Sequence, residues 1–195
     1  MARKAGSHAT ITGPAIQKAA LALFARSGYA AVSMREIAAE VGVGAGALYL
    51  YTPDKQTLLF DLMKTHLDSL LGAWQETASG DDPTEKLWRF VEFHFDYHFG
   101  LRDEVFVSHM ELRNLNEENF KVIQSLRRQY ESELQSILTS GLAAGAFQIR
   151  DVRVTTMALM AMLTGYLTWF RDDGRLDKEE IKRVYWELAK SMVAA

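Results

Sequence analysis

Apolar residues recur at every third or fourth position through most of the chain, a spacing typical of amphipathic helices, and we find no convincing strand. In the first 60 residues this pattern predicts three helices. The first passes through Ile16–Phe24, the second is a short helix after Ser33, and the third is a short helix through Ala47–Tyr51. The amino-terminal part is therefore predicted to be a small three-helix unit.

Local signals mark where these first helices begin and end. Ser33 followed three residues later by Glu36 is the pattern of a capping box, which begins a helix. Gly28 and Gly42 stand where the first two helices should end, and Gly42 supplies the positive φ that a tight turn needs. A predicted mini-core joins the three helices: Ile16, Ala20, Phe24, Ile37, Ala38, Val41 and Leu48.

A long helix is predicted to follow, with Thr52 as its N-cap and Pro53 at its first position. One apolar stripe, from Leu58 to Trp74, extends along it for about six turns. The loop Gly80–Pro83 is the one plain break in composition. Beyond it the pattern predicts helices at about 83–99, 102–114, 116–144, 151–171 and 177–193.

The fold class is therefore all-α, in two parts. Residues 1–52 are predicted to form a helix-turn-helix domain, in which two short helices joined by a tight turn are braced by a preceding helix. Residues 53–195 are predicted to form a helical body.

The amino-acid composition excludes some kinds of functional site and is compatible with others. The chain has 195 residues and no cysteine, which excludes disulfides, thiolate metal sites and cysteine nucleophiles. The net charge is −3, but residues 1–60 hold six basic and three acidic side chains, so the acidic excess lies in the body. A mildly basic head on an acidic body is compatible with DNA binding by the head.

The residues of the head resemble a known family. The segment Ile16–Leu59 is similar to the DNA-binding domain of the TetR family of bacterial repressors. The matching positions are Ala19-Ala20-Leu21-Ala22-Leu23-Phe24, Gly28-Tyr29, Ser33, Ile37-Ala38, Gly42-Val43, Gly46-Ala47-Leu48-Tyr49, Tyr51, Lys55 and Leu58-Leu59. Two departures are that the family commonly has polar residues where Gly44 and Ala45 stand, and an aromatic residue where Thr52 stands.

The resemblance implies a DNA-binding surface. The second helix of such a motif lies in the major groove, while a helix capped by Ser33 directs backbone N–H groups at a phosphate. By resemblance, Tyr49 and Lys55 also bind the DNA backbone. The candidate DNA-binding residues are Ser33, Met34, Arg35, Gly44, Ala45, Gly46, Tyr49, Leu50, Tyr51 and Lys55. Because this helix has few side-chain donors, we expect selectivity to depend on Arg35, on apolar contact with thymine methyls and on DNA shape.

The body is rich in aromatic and methionine side chains. Most of them are expected to be core, but a helical body with so many bulky side chains could also enclose an apolar cavity. In TetR-family proteins the corresponding region binds a small effector. The candidate ligand-binding residues are Met63, His66, Phe90, Phe93, His94, Tyr97, Phe106, Met110, Arg113, Tyr130, Tyr166 and Trp169.

One short segment suggests a ligand class. Glu111–Asn116 resembles the middle region of family members that respond to acyl-CoA or other fatty-acid derivatives. Arg113 is then a candidate partner for an anionic group of the ligand.

The last two helices are predicted to form a dimer interface. Residues 152–170 carry one charge and several small side chains, which allows close helix contact in a four-helix bundle with a two-fold mate. The candidate interface residues are Thr155, Ala158, Leu159, Met162, Gly165, Tyr185, Trp186 and Ala189. The interior of a monomer would hide the same residues and stays open as an alternative.

Other functions were weighed against this prediction. His94 and His98, four residues apart, could bind a metal with a third ligand such as His66 or His109, although we expect neither metal nor cofactor. An all-α enzyme using these histidines is the runner-up, but no His-Glu-x-x-His or Gly-x-Ser-x-Gly sequence supports it. A helix-turn-helix that binds only protein is a third possibility.

Two further patterns, one typical of dinucleotide binding and one of a membrane span, have weaker support in the sequence. Residues 42–47 fit the dinucleotide pattern G-x-G-x-x-A, but the preceding segment is helical rather than a strand. The uncharged segment 154–170 only just reaches the length of a membrane span and contains several polar residues. Residues 1–8 have no apolar run behind their basic residues, so we expect no signal peptide and a cytoplasmic protein.

Together these predictions describe a dimeric transcription regulator, most simply a repressor, that binds a palindromic DNA operator. Two heads would enter successive major grooves, about 34–36 Å apart. A small, largely apolar effector would release the regulator from the operator, and an acyl-CoA or fatty-acid derivative is the candidate effector.

Overall fold

The computed structural model describes residues 6–77, 80–171 and 173–194, and every regular element within them is helical. Nine α-helices follow one another in this described part, numbered in chain order. They are α1 Gly6–Ser27, α2 Met34–Val41, α3 Ala45–Leu48, α4 Lys55–Thr77, α5 Pro83–Phe99, α6 Arg102–Met110, α7 Glu117–Ala143, α8 Val152–Gly165 and α9 Lys178–Val193. Short 3-10 turns at Leu112–Asn114 and Tyr166–Thr168 follow α6 and α8. The all-α prediction is confirmed.

Side-chain caps explain where several helices begin. The predicted capping box of α2 is present, since Ser33 Oγ accepts from the Glu36 N–H and Glu36 accepts from the Ser33 N–H. Asp177 and Glu180 form a second box at α9, and Asp82 caps α5 just before Pro83. In each of these caps the two partners lie three residues apart in the sequence. The sequence alone therefore predicts where these helices begin.

The third helix is shorter than predicted. α3 ends at Leu48, and residues 49–51 form a turn. The N–H groups of Leu50 and Tyr51 bond to carbonyls three residues back, at 3.3 and 2.9 Å. Because Pro53 disfavours helical backbone at the preceding residue, the helix must end before it, and its last turn tightens.

The predicted cap of the long helix is also corrected. α4 begins at Lys55, and Asp54 Oδ1 accepts from the Thr57 N–H at 2.7 Å, so Asp54 is the N-cap rather than Thr52. Thr52 is buried and donates its hydroxyl to the Asp54 carbonyl at 3.1 Å. A carboxylate accepts more strongly than a hydroxyl, which favours the later start.

The chain divides into two compact units. The first contains the described residues up to Asp68 together with Asp103–Gln124, and the second contains Ser69–Arg102 and the described residues from Ser125 onward. The core of the first unit confirms the predicted mini-core, with Val41 only half-buried. Its fully buried members include Ile16, Ala20, Phe24, Ile37, Ala38, Leu48, Leu59 and Met63.

The second unit is organised around α5. Phe95 stacks on Tyr166 with ring centroids 4.3 Å apart and meets Tyr185 of α9 edge to face at 5.0 Å. On the same helix, Asp96 pairs with Lys178 at 2.6 Å and with Lys182 at 3.2 Å. Burial alone would raise the pKa of Asp96, but hydrogen bonds from the two lysines outweigh it and hold this pKa below its usual value.

A glycine allows close packing near the end of α7. A Cβ placed on Gly141 would lie 2.0 Å from the ring of Phe147, which is itself buried. The chain therefore folds back over α7 at a point where only glycine leaves room. As for the membrane-span alternative, none of the helices in the described ranges combines the length and apolar character that crossing a bilayer requires.

Candidate nucleic-acid interface

The turn between α2 and α3 sets the orientation of α3. Gly42 adopts φ 75° and ψ 28°, the left-handed conformation predicted for it. Its N–H and that of Val43 bond back to carbonyls of α2, which closes the turn. Ile37 and Ala38 of α2 and Leu48 of α3 are buried in the same unit, so the opposite side of α3 is left exposed. This is the geometry of a helix-turn-helix.

The exposed side of α3 and the turn after it, residues 44–51, form a surface that we call the recognition surface because it is the candidate for DNA contact. Tyr49 is 53% exposed, Leu50 84% and Tyr51 39%, although large apolar and aromatic side chains are usually more buried. Gly44 and Gly46 lie among them, and a Cβ at either would meet no atom within 4 Å. The surface is therefore open and poor in hydrogen-bond donors.

The start of α2 lies in the same unit. Ser33 and Arg35 are exposed and Met34 is half-buried, as a DNA contact would require. Hydrogen bonds with Ser33 lower the pKa of Glu36. A charged carboxylate therefore lies beside the first turn of α2. This charge opposes a phosphate at the very end of the helix, so any phosphate contact there has to come from the N–H groups next to Ser33 and from Arg35.

Lys55 makes contacts inside the protein that the resemblance did not imply. Its ammonium donates to the carbonyls of Tyr29 and Val32 at 2.8 and 2.7 Å, and it lies 4.2 Å from the centroid of the Tyr29 ring. Two of its three N–H donors are thereby used inside the protein. In this structure Lys55 holds the α1–α2 turn against α4 rather than reaching outward.

Gln56 makes contacts that the sequence analysis missed. Its amide donates to the Asn114 carbonyl at 2.8 Å and to the Tyr29 hydroxyl at 3.3 Å, and it accepts from the Asn116 N–H at 3.0 Å. The side chain thus binds the loop between α6 and α7 to the start of α4, within the first unit. No local pattern indicates these contacts, because Tyr29 lies 27 residues away and Asn114 and Asn116 lie 58 and 60 residues away.

Among the candidate ligand-binding residues of the second unit, most are buried. Phe90, His94, Tyr130 and Tyr166 are buried, Phe93 and Tyr97 are half-buried, and Trp169 is 55% exposed. Rings at 5.1 to 6.2 Å link Phe90 to Tyr130, His94 and Trp74. In the first unit Met63 and His66 are buried, whereas Phe106, Met110 and Arg113 are exposed.

Two histidines form the polar part of this buried group. His94 Nδ1 lies 3.3 Å from the Tyr130 hydroxyl, and His94 Nε2 lies 3.4 Å from Thr164 Oγ1. His98 Nδ1 lies 2.9 Å from the His94 carbonyl, and burial lowers the pKa of His98 to about 4. His98 is therefore neutral at pH 7. Across the described parts of the chain, no three metal-binding side chains come close enough to hold an ion.

The structure revises the predicted apolar face of α8 and α9. Three of its residues are buried within the chain itself and offer little or no surface to a second copy: Leu159, Tyr185 and Ala189. Thr155, Met162, Gly165 and Trp186 are half-buried, and Ala158 is exposed. The exposed apolar side chains are their neighbours Val154, Met157 and Ala161 on α8, and Val184, Leu188 and Met192 on α9.

Comparisons with known proteins agree with this architecture. Residues 80–193, more than half of the chain, match the family model described as "Tetracyclin repressor-like, C-terminal domain". Residues 16–62 match the model described as "Bacterial regulatory proteins, tetR family". The "Fatty acid metabolism regulator protein" of Bacillus subtilis (strain 168) is 27% identical over 176 residues, which cover 89% of this chain and 91% of that protein.

Solved structures share the fold over nearly the whole chain. A bacterial regulatory protein in the tetR family from Rhodococcus RHA1 superposes with a TM-score of 0.88 at 29% identity, over 94% of this chain and 97% of that one. AibR, crystallised with isovaleryl coenzyme A and operator DNA, gives a TM-score of 0.81 at 24% identity, over 91% and 97% of the two chains. From these matches and the helix-turn-helix geometry, we conclude that the chain is a DNA-binding transcription regulator of the TetR family, a family that is not enzymatic.

Proposed function

We propose that this regulator is a dimeric repressor that binds a palindromic operator and leaves it when a small, largely apolar effector binds. The observation that carries the proposal is the recognition surface, residues 44–51, exposed on a helix-turn-helix whose other side is buried. In this proposal residues 1–52 are the DNA-binding domain and residues 53–195 bind the effector and the second copy. Two heads would occupy major grooves about 34–36 Å apart.

The exposed apolar side chains of α8 and α9 support dimerisation. Val154 and Met157 on α8 and Leu188 on α9 are between 47% and 64% exposed, which is costly in water unless a partner covers them. Ala158 and Ala161 leave room for a second helix to approach closely. The interface we propose is therefore this exposed face, with Thr155, Met162, Gly165 and Trp186 at its border.

The buried cluster around His94 supports an effector site in the second unit. Phe90 and Tyr130 provide an apolar lining, and the hydrogen bonds of His94 at 3.3 and 3.4 Å are long for such bonds. A ligand group that bonds to His94 more closely would replace them at little cost. Because the neighbouring His98 is neutral, it offers no positive charge to a buried anion, so the buried part of the ligand should be uncharged, for example a carbonyl group.

This chemistry suits an acyl thioester, whose chain is apolar and whose carbonyl is neutral. The names of the Bacillus subtilis regulator and of AibR with isovaleryl coenzyme A point to the same class of ligand. The charged nucleotide of such a ligand would stay in solvent.

Release of the operator requires linkage between the two sites. If the effector binds the DNA-free conformation more tightly, it must lower the affinity for DNA by the same factor by which DNA lowers the affinity for the effector. Equal effector affinity for free and operator-bound protein would contradict the proposed mechanism.

The decisive experiment is selection of bound sequences from random duplexes, followed by titration of the selected site with isovaleryl-CoA and with longer acyl-CoAs. We expect two inverted half-sites one helical turn apart, bound by two protomers, and dissociation by at least one of these thioesters. A single asymmetric site bound by one protomer would overturn the dimeric proposal. A palindromic complex that no acyl-CoA dissociates would overturn the proposed ligand class.

A further inference from the structure

We propose that Leu50 recognises the C5-methyl group of a pyrimidine in the major groove, so that methylation of a single base changes the affinity of this regulator for DNA. This inference rests on the proposed function, because it needs the recognition surface to lie in the groove.

The position of Leu50 is the first argument. Leu48, the last residue of α3, is wholly buried, whereas Leu50 lies in the turn that follows. Leu50 faces away from the core of the head and is 84% exposed, more than any other large apolar side chain in the described part of the chain. No part of the chain that the structure describes covers it.

The surroundings of Leu50 are the second argument. Gly46 lies in α3, four residues before Leu50, and is exposed in the same surface. Gly44 and Gly46 both have ordinary φ values, and a Cβ on either would meet no atom of another packed segment within 4 Å among the described residues. The fold itself thus needs neither glycine, and a glycine within α3 weakens that helix. Close approach of another molecule to the backbone would explain why glycine stands at both positions.

The chemistry of the groove identifies what Leu50 would meet. Thymine is distinguished in the major groove by its C5-methyl group, and the other base edges there carry only donors and acceptors. Leu50 has no donor or acceptor to offer them. A cytosine methylated at C5 presents the same methyl group, so Leu50 should not distinguish this group on thymine from the same group on cytosine.

The test uses the full-length protein and the duplex recovered by selection. Each thymine in turn is replaced by deoxyuridine, which removes only the methyl group. We expect one position in each half-site at which this lowers the affinity about fourfold, the value for one buried methyl-sized group. At that position a 5-methylcytosine duplex should bind about fourfold more tightly than the matching cytosine duplex.

Two variants assign the effect to Leu50. Leu50→Ala should bind the thymine and deoxyuridine duplexes equally, whereas Leu50→Met, which keeps an apolar side chain, should still prefer thymine. Leu142→Ala is the matched control, because Leu142 is a 41% exposed leucine of α7 in the other unit, and it should behave as wild type.

Each outcome is decisive. Insensitivity to deoxyuridine at every position, or a selected site without thymine, would overturn the inference. Sensitivity that persists in Leu50→Ala would also overturn it, because another side chain would then recognise the methyl group. Failure to enrich any duplex would instead count against the proposed function itself.

Discussion

Replacing Lys55 by methionine separates an internal structural role from a phosphate contact. Methionine keeps the apolar stem but removes two charge-assisted hydrogen bonds, at 2.8 and 2.7 Å, and the contact with the Tyr29 ring. Such hydrogen bonds contribute about 1.5–3 kcal/mol each when the donor is charged, and a cation–π contact about 0.5–1 kcal/mol. Because the site is only part-buried, water can replace some of these interactions, and we expect a loss of about 2 kcal/mol in the free energy of unfolding.

Urea denaturation measures the free energy of unfolding. The DNA affinity measured between about 50 and 200 mM salt shows whether Lys55 contacts a phosphate. Removing a lysine that neutralises a phosphate lowers the slope of log affinity against log salt by about 0.9. We expect the affinity of Lys55→Met to fall because the α1–α2 turn is loosened, while this slope stays close to that of the wild type.

A lysine on the same helix provides the control. Lys64 pairs with Asp68 on the exposed side of α4, and surface pairs of this kind contribute less than about 1 kcal/mol. Lys64→Met should therefore leave stability nearly unchanged. Unchanged stability of Lys55→Met would refute the internal role if the slope also became shallower by about 1.8, since a dimer loses two lysines at about 0.9 each.

Three further changes test other parts of the structure. Gly141→Ala should lower the free energy of unfolding by about 1–3 kcal/mol, because its Cβ would overlap the Phe147 ring. Gly72→Ala, whose Cβ meets no atom within 4 Å, should instead raise the free energy of unfolding by about 0.5–1 kcal/mol. Similar melting temperatures for the two variants would contradict the packing of Gly141 against Phe147. The pKa of His98 is about 4 in the folded chain and about 6.5 when unfolded, so the unfolded state binds more protons and stability falls as the pH drops below 6.5. We expect this residue to account for about 2 kcal/mol of lost stability between pH 7 and pH 5, a loss that His98→Gln should not show in denaturation measured at both pH values. Gly46→Ala should fold at least as stably as wild type yet bind the selected operator less tightly, and unchanged affinity in a binding titration would count against close approach of the α3 backbone to DNA.

Local signals made much of the head predictable. The Ser33–Glu36 box and the left-handed Gly42 each depend on residues within a few positions, and the structure has both as predicted. The length of α3 was overestimated because its periodicity continues to Tyr51, while Pro53 and the tightened last turn end the helix earlier.

Contacts between distant parts of the chain were not predictable in the same way. Lys55 has the residue type and place of a phosphate ligand, but its carbonyl partners lie 23 and 26 residues away and only the fold brings them together. In α8 the near absence of charge around the whole helix left its outward side undetermined, so Leu159 was assigned to a surface although it is buried.

The first compact unit of this protein, which contains the head, is built from two separate stretches of sequence, because the loop after α6 is bonded through Gln56 to the start of α4. A chimera that grafts only the first 68 residues onto another regulator's body would cut these bonds and leave the Gln56 amide in water. Designers who exchange operator specificity between such regulators should therefore transplant residues 103–124 with the head, or rebuild the receiving loop so that it offers Gln56 a carbonyl and an N–H in the same places.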